Sequence, residues 1–146
     1  MNDQARSASS QSAIILFAHG ARDPAWRRPF DAIASAIKSA QPQVIVEIAF
    51  LELMEPRLPQ VAQDLYLRGN RQLLVIPVFL SQSGHVMRDL PTIVSQIVAT
   101  HPGLAISVGP AIGEAPSVIN AIAAACLEQA LTNQSGEKIK LGDQIL

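Results

Sequence analysis

Little in this chain invites a large or highly charged partner. Phe, Trp and Tyr make up 4% of its 146 residues, with a single Trp26 and a single Tyr66. That is too few for the aromatic platforms on which single-stranded nucleic acid stacks. Charges nearly cancel: 11 Lys and Arg against 12 Asp and Glu leave a formal net charge of −1. No global field therefore draws the chain to phosphate backbones or anionic lipid. Cys126 is the only cysteine, which excludes an internal disulfide and a thiolate metal cluster. It falls in an Ala-rich helical stretch, residues 121–130, and reads as a small buried hydrophobe. The longest aliphatic or aromatic runs, such as residues 14–18 and 73–76, are far too short to span a bilayer. Residues 1–12 are polar and lack the basic start and apolar core of a signal peptide. Together these absences point to a cytoplasmic binder of small molecules, with neither nucleic acid nor membrane as a partner.

What is present is ample apolar material, 49% of residues, in a chain long enough to build one core without staples. Residues 1–12 read as a disordered leader, 13–131 as a single domain and 132–146 as a polar tail. Within the domain, residues 13–18, 44–51, 73–80 and 104–108 are short continuous apolar runs, the pattern of strands covered on both faces. Pro77 inside the third run predicts a bulge or the strand's end. Between the runs lie helical patterns. Trp26, Phe30, Ile33 and Ile37 draw one stripe, and Leu58, Val61, Ala62 and Leu65 a second that Gly69 closes as a C-cap. Asp89 is placed to cap a third, with Leu90, Ile93, Val94, Ile97 and Val98 facing inward. After a turn over 109–116, residues 117–131 form the fourth. Strands alternating with helices predict an α/β domain of three layers: a four-stranded, mostly parallel sheet flanked by helices. In such sheets ligands bind beyond the carboxyl ends of the strands.

That rule directs attention to three residues. His19 follows the first strand, Glu52 the second, and His85 lies in the loop after the third, with 33 residues separating each successive pair. Equal spacing is what one edge of a regular βαβαβ array gives, although it does not by itself make a site. Each residue alone reads as a solvated loop residue; together, two imidazoles and one carboxylate with open positions suit Co²⁺, Ni²⁺, Fe²⁺ or Zn²⁺. His101, between a helix end and Pro102, fits a helix-dipole contact instead.

The segments His-Gly-Ala-Arg-Asp-Pro at 19–24, Glu-Ile-Ala-Phe-Leu-Glu at 47–52 and Pro-Val-Phe-Leu-Ser-Gln-Ser-Gly-His-Val-Met-Arg-Asp-Leu-Pro at 77–91 carry a resemblance. They closely resemble the short-form sirohydrochlorin cobaltochelatases, class II chelatases of cobalamin and sirohaem synthesis. Gly-Pro-Ala-Ile-Gly at 109–113 is similar to that family's fourth-strand exit, and the likeness covers roughly residues 13–130. It implies a chelatase-like fold and insertion of a divalent metal, Co²⁺ first and Ni²⁺ or Fe²⁺ next, as substrate rather than as a permanently bound cofactor. By resemblance His19 and His85 are the metal-binding and catalytic pair, and Glu52 the acidic third member. Relatives often carry Ser where this chain has Ala21, which removes a hydroxyl but spares the ligands. The tetrapyrrole is rimmed by carboxylates, so cations belong around it. Arg22, Arg27, Arg28 and Arg88 follow the first and third strands, and Arg22, Arg88 and Ser83 are the candidate substrate contacts. The short chelatases are homodimers, and their longer relatives fuse two such domains, which implies a homodimer here.

Two other readings compete. The pattern His19-Gly-x-Arg22-x-Pro24 also fits histidine phosphatases, but Ala18 stands where those enzymes place an Arg, and no second His-Asp pair follows. A non-enzymatic carrier of metal or tetrapyrrole would need the same ligands and cleft.

Overall fold

The computed structural model describes residues 12–134. Four strands, β1 (Ser12–Ala18), β2 (Ile45–Phe50), β3 (Gln72–Pro77) and β4 (Ala105–Val108), form one sheet in the order β2-β1-β3-β4. Every pairing is parallel. The helices are α1 (Arg28–Ala40), α2 (Leu58–Leu67), α3 (His85–Thr100) and α4 (Pro116–Gln134), with single 3-10 turns at Pro24–Arg27 and Ile112–Glu114. The expected α/β architecture is thus present, with the sheet wholly parallel.

Strand periodicity divides the core between the two faces. Ala13, Ile15, Phe17, Ala49, Leu73 and Val75 point to one face, where Leu58, Val61, Ala62 and Leu65 of α2 and Leu90 and Ile97 of α3 cover them. The alternate residues Leu16, Ala18, Val46, Ile48 and Phe50 point to the other, against Phe30 and Ala34 of α1. Phe17, Leu58, Leu65 and Leu90 are fully buried, each stabilising the fold by about 1.5–3 kcal/mol. All four residues read as the α2 stripe are buried, and Gly69 follows the helix at φ +95° as the cap requires. Pro77 is the last residue of β3, where its missing N–H costs no interior ladder bond.

Several expectations need correction. The first helical stripe is half right. Residues 24–27 form a 3-10 turn before α1, Phe30 is buried, and Trp26 and Ile33 stay exposed, while Ala34 takes the buried position. Asp89 does not cap α3, which begins four residues earlier at His85 behind Gly84 at φ +126°. A glycine can hold that turn where a capping side chain was expected, and Pro91 falls within the helix's second turn. Val98 is exposed rather than inward. The last helix runs to Gln134, so the first three tail residues belong to it. None of its residues is buried, and Cys126 is exposed, because α4 does not lie on the sheet. The leader up to residue 11, and the tail from 135 on, fall outside the described residues.

Candidate active site

The β1–β2 ladder continues past both strand ends. Leu51 N–H donates to the Ala18 carbonyl at 2.9 Å and Glu52 N–H to the His19 carbonyl at 3.1 Å. Backbone pairing therefore fixes His19 beside Glu52. Gly20 makes this approach possible: a Cβ there would lie 1.8 Å from the Glu52 carbonyl oxygen, and its φ is +95°. Only glycine tolerates both. The residue after Glu52 is held unusually as well, since Leu53 has φ 64°, strain of the kind that gathers at working sites. Arg57 Nη1 donates to the Leu51 carbonyl at 3.2 Å, bracing the loop that leaves β2.

The side chains meet as the backbones do. His19 Nε2 lies 3.5 Å from Glu52 Oε1, both side chains about half exposed. His19 Nδ1 is 3.2 Å from the Gly20 carbonyl. With the proton on Nδ1 this is a donated hydrogen bond, and Nε2 then presents a bare lone pair toward the carboxylate. Two electron-rich atoms so placed call for a proton or a cation between them. Ligand atoms about 2.1 Å from a shared tetrahedral metal ion stand about 3.4 Å apart, close to the observed separation. The pair is thus dimensioned to hold a divalent ion, the gap being longer than a hydrogen bond.

His85 is the first residue of α3 and is exposed. It does not join the His19–Glu52 pair: among the described residues, no group of three or more His, Cys, Asp or Glu side chains could together hold a metal ion. The segment leading to His85 is tied to the β4 exit. Gln82 Oε1 accepts a short hydrogen bond from Ala111 N–H, and Gln82 N–H donates to Glu114 Oε1 at 2.7 Å. Gly113 N–H donates to the Phe79 carbonyl at 2.9 Å, and a Cβ on Gly113 would lie 2.3 Å from Leu80 Cα. Ser83 takes part in the same segment, its hydroxyl 2.8 Å from that of Ser81. Gly20, Gln82 and Glu114 escaped sequence reasoning. A glycine beside a strand-end histidine is a usable signal, whereas a contact spanning 32 residues leaves no local trace.

The arginines divide. Arg27 is committed to Asp31 at 3.1 Å, while Arg22 and Arg88 are exposed and make no ion pair among the described residues. Away from the strand ends, Arg68 donates to Glu47 at 3.1 Å. That bond raises its already high pKa and ties the end of α2 to β2. His101 sits at the C-terminus of α3, its Nδ1 2.7 Å from the Ile97 carbonyl, in the helix-end contact expected of it.

Residues 13–129, which take in this edge and all of the sheet but its first residue, match the CbiX protein family. The chain belongs to the CbiX family. It is 34% identical over 85 residues to a sirohydrochlorin cobaltochelatase of Methanococcus aeolicus, 58% of this chain and 59% of that protein. A sirohydrochlorin cobaltochelatase of Methanocaldococcus jannaschii is 33% identical over 61% of this chain and 62% of its own length. The matched stretch thus spans about three-fifths of these curated relatives. Among solved structures, a CbiX protein from Marinobacter aquaeolei VT8 superposes with a TM-score of 0.75 at 30% identity, covering 84% of this chain and 98% of that one. The sirohydrochlorin chelatase SirB of Bacillus subtilis subspecies spizizenii, in complex with cobalt, superposes with 0.71 at 25% identity over 81% of this chain and 50% of its own. Nothing in these matches supports the phosphatase or carrier reading.

Proposed function

We propose that this CbiX-family chain inserts a divalent metal ion, Co²⁺ before Ni²⁺ or Fe²⁺, into sirohydrochlorin. The observation that carries the reading is the His19 Nε2 to Glu52 Oε1 separation of 3.5 Å at the carboxyl edge of a parallel sheet. Relatives named sirohydrochlorin cobaltochelatase, and one from Bacillus subtilis named sirohydrochlorin ferrochelatase, support the substrate and leave the metal to supply. The ion is a substrate and must be released into the ring. A site of two protein ligands suits that task better than a closed cage of four, which retains its metal.

In this reading His19 and Glu52 hold the incoming ion, and pyrrole nitrogens complete its coordination as its waters leave. Metallation also requires loss of two weakly acidic pyrrole protons. Imidazole is the side chain best matched to accept a proton near neutral pH, and His85, exposed at the start of α3, is available for it. Glu52 then either holds the ion or passes protons outward. Arg22 and Arg88 meet the carboxylate rim, with Ser83 as a neutral contact. One domain offers the flat macrocycle one wall, so the working unit is a homodimer with strand-end edges facing across a cleft. A lone cysteine and the absence of a long apolar helix among the described residues accord with a cytoplasmic place of work. We take the domain to run from β1 through the end of α4 at Gln134, three residues past the limit of 131 expected from sequence.

An anaerobic absorbance assay with sirohydrochlorin and each metal in turn tests the reading. His19→Ala and His85→Ala should each abolish catalysed metallation with circular dichroism unchanged, and His101→Ala should do neither. Near-parent turnover in His85→Ala would remove that residue from the mechanism. One stoichiometric binding event without turnover would make the chain a carrier.

A further inference from the structure

Two leucines stand exposed at the edge that carries the His19–Glu52 pair. Leu53 is the third residue past the end of β2, and Leu80 the third past the end of β3. They are 49% and 72% exposed, and neither belongs to a core cluster. Single exposed leucines are ordinary on a protein surface. These two differ in where they stand and in how they are held. The other large apolar residues exposed near this edge are already engaged. Trp26 rests on Phe30 at 4.8 Å, and Ile112 lines a cavity with Leu74 and Ile76.

Leu53 keeps its place at a cost. Its φ of 64° lies in the left-handed region, which glycine enters freely and leucine only under strain. Its side chain is also left half in water. In the free chain a glycine would remove the strain and expose no apolar side chain, so the leucine is unfavourable on both counts until something covers it. The loop around it is closed at its base. Phe50 N–H donates to the Pro56 carbonyl at 2.9 Å, and Arg57 Nη1 to the Leu51 carbonyl at 3.2 Å. Leu80 is fixed from behind, where a Cβ on Gly113 would lie 2.3 Å from Leu80 Cα and 2.7 Å from its carbonyl oxygen. Firm backbone thus presents two uncovered apolar side chains. β1, which leads to His19, lies between β2 and β3. With adjacent strands about 4.8 Å apart, the β2 and β3 exits stand about 10 Å apart.

Sirohydrochlorin is charged at its rim and apolar over the face of its macrocycle, and arginines answer the rim alone. We propose that Leu53 and Leu80 grip the face of the macrocycle, one on each side of His19, and so set how tightly the ring is held over the ion. The inference rests on the chelatase reading of the preceding section. Covering both leucines recovers on binding the hydrophobic free energy that the free protein forgoes. They touch the ring and not the ion, so they govern ring affinity and leave metal binding alone.

Anaerobic titration with metal-free sirohydrochlorin, followed by the absorbance of the ring, measures the first quantity. The KM for Co²⁺ in the metallation assay reports on the second. Leu53→Ala and Leu80→Ala should each weaken ring binding about tenfold with the KM for Co²⁺ unmoved. Leu53→Met and Leu80→Met, which keep the apolar volume, should stay close to the parent. Leu53→Gly supplies a readout that a structural role would not give. Its denaturant midpoint should exceed that of Leu53→Ala, because the strain is gone, while its ring binding is no stronger. Unchanged ring affinity in either alanine variant overturns the grip, as does an equal rise in the KM for Co²⁺, which would mark damage to the ion site. A parent that binds the ring without metallating it overturns the chelatase reading, and the titration alone then decides the leucines. A parent that binds no sirohydrochlorin overturns both.

Discussion

Replacing Gly20 by Ala imposes two costs that a second glycine lets one separate. Gly20 and Gly69 share the same φ of +95°, but a Cβ at Gly69 meets nothing within 4 Å, whereas at Gly20 it would lie 1.8 Å from the Glu52 carbonyl oxygen. Backbone strain alone costs about 1–2 kcal/mol for an L-residue with positive φ. Forcing an extra carbon into a filled space adds about 1–3 kcal/mol. Gly69→Ala should therefore lose about 1–2 kcal/mol, and Gly20→Ala about 2–5 kcal/mol. Denaturant midpoints at unchanged slope would measure both. The clash can be relieved only by moving Glu52 away from β1, which stretches the 3.1 Å bond from Glu52 N–H to the His19 carbonyl and parts the two side chains. Displacement of about 1 Å at a reacting centre can cost about 100-fold in rate. Metallation by Gly20→Ala should thus fall at least about tenfold at a temperature where the variant is fully folded, while Gly69→Ala keeps the parent rate. A Gly20→Ala protein as stable and as active as Gly69→Ala would refute the reasoning, since the close approach of the two strand exits would then not be what assembles the pair.

Two further outcomes follow from the same edge. Glu52→Gln keeps the size and one oxygen but loses charge and basicity, so metallation should drop by about 100-fold while sirohydrochlorin affinity changes little. Unchanged turnover with weakened ring binding would instead put Glu52 in the substrate pocket. Gln82→Ala leaves the N–H of buried Ala111 without its acceptor, costing about 1–3 kcal/mol, and frees the segment before His85. kcat should fall more than KM changes, and Glu114→Gln, which retains an acceptor for Gln82 N–H, should stay close to the parent. Equal kinetics in Gln82→Ala and parent would show that the clasp serves stability alone.

Much of the fold was legible because its signals are local. Four apolar runs, a helical stripe of Leu58, Val61, Ala62 and Leu65, and Gly69 each report on neighbours within a turn or two of chain. What escaped depended on distance or on a partner. Asp89 has the chemistry of a cap, but the start of α3 was decided by Gly84, whose φ of +126° no pattern announces. Trp26 extends the Phe30 and Ile37 spacing on paper, yet the chain turns as a 3-10 segment there and the indole packs its ring against Phe30 at 4.8 Å from the surface. Cys126 reads as buried from its alanine neighbours. That composition is real, and its exposure on this single chain is the same contradiction that marks all of α4.

At the site, the strands decide how far the sequence can be read. His19 and Glu52 are brought together by a parallel ladder, in which register is set by buried side chains over many residues, so the residues that follow two paired strands become adjacent in space. His85 stands beyond the point where β3 stops at Pro77, and the segment leading to it is held through Gln82, which bonds to Ala111 and Glu114 some 30 positions away. The first two residues are thus fixed by strand pairing and the third by a clasp of a few hydrogen bonds. If His85 accepts pyrrole protons in turn, such a division is useful: a rigid pair keeps the ion in one place, and a loosely tethered base can follow the ring as it distorts. Loosening the clasp further should then slow proton removal without weakening metal binding. That separates it from damage at Gly20, which must weaken both.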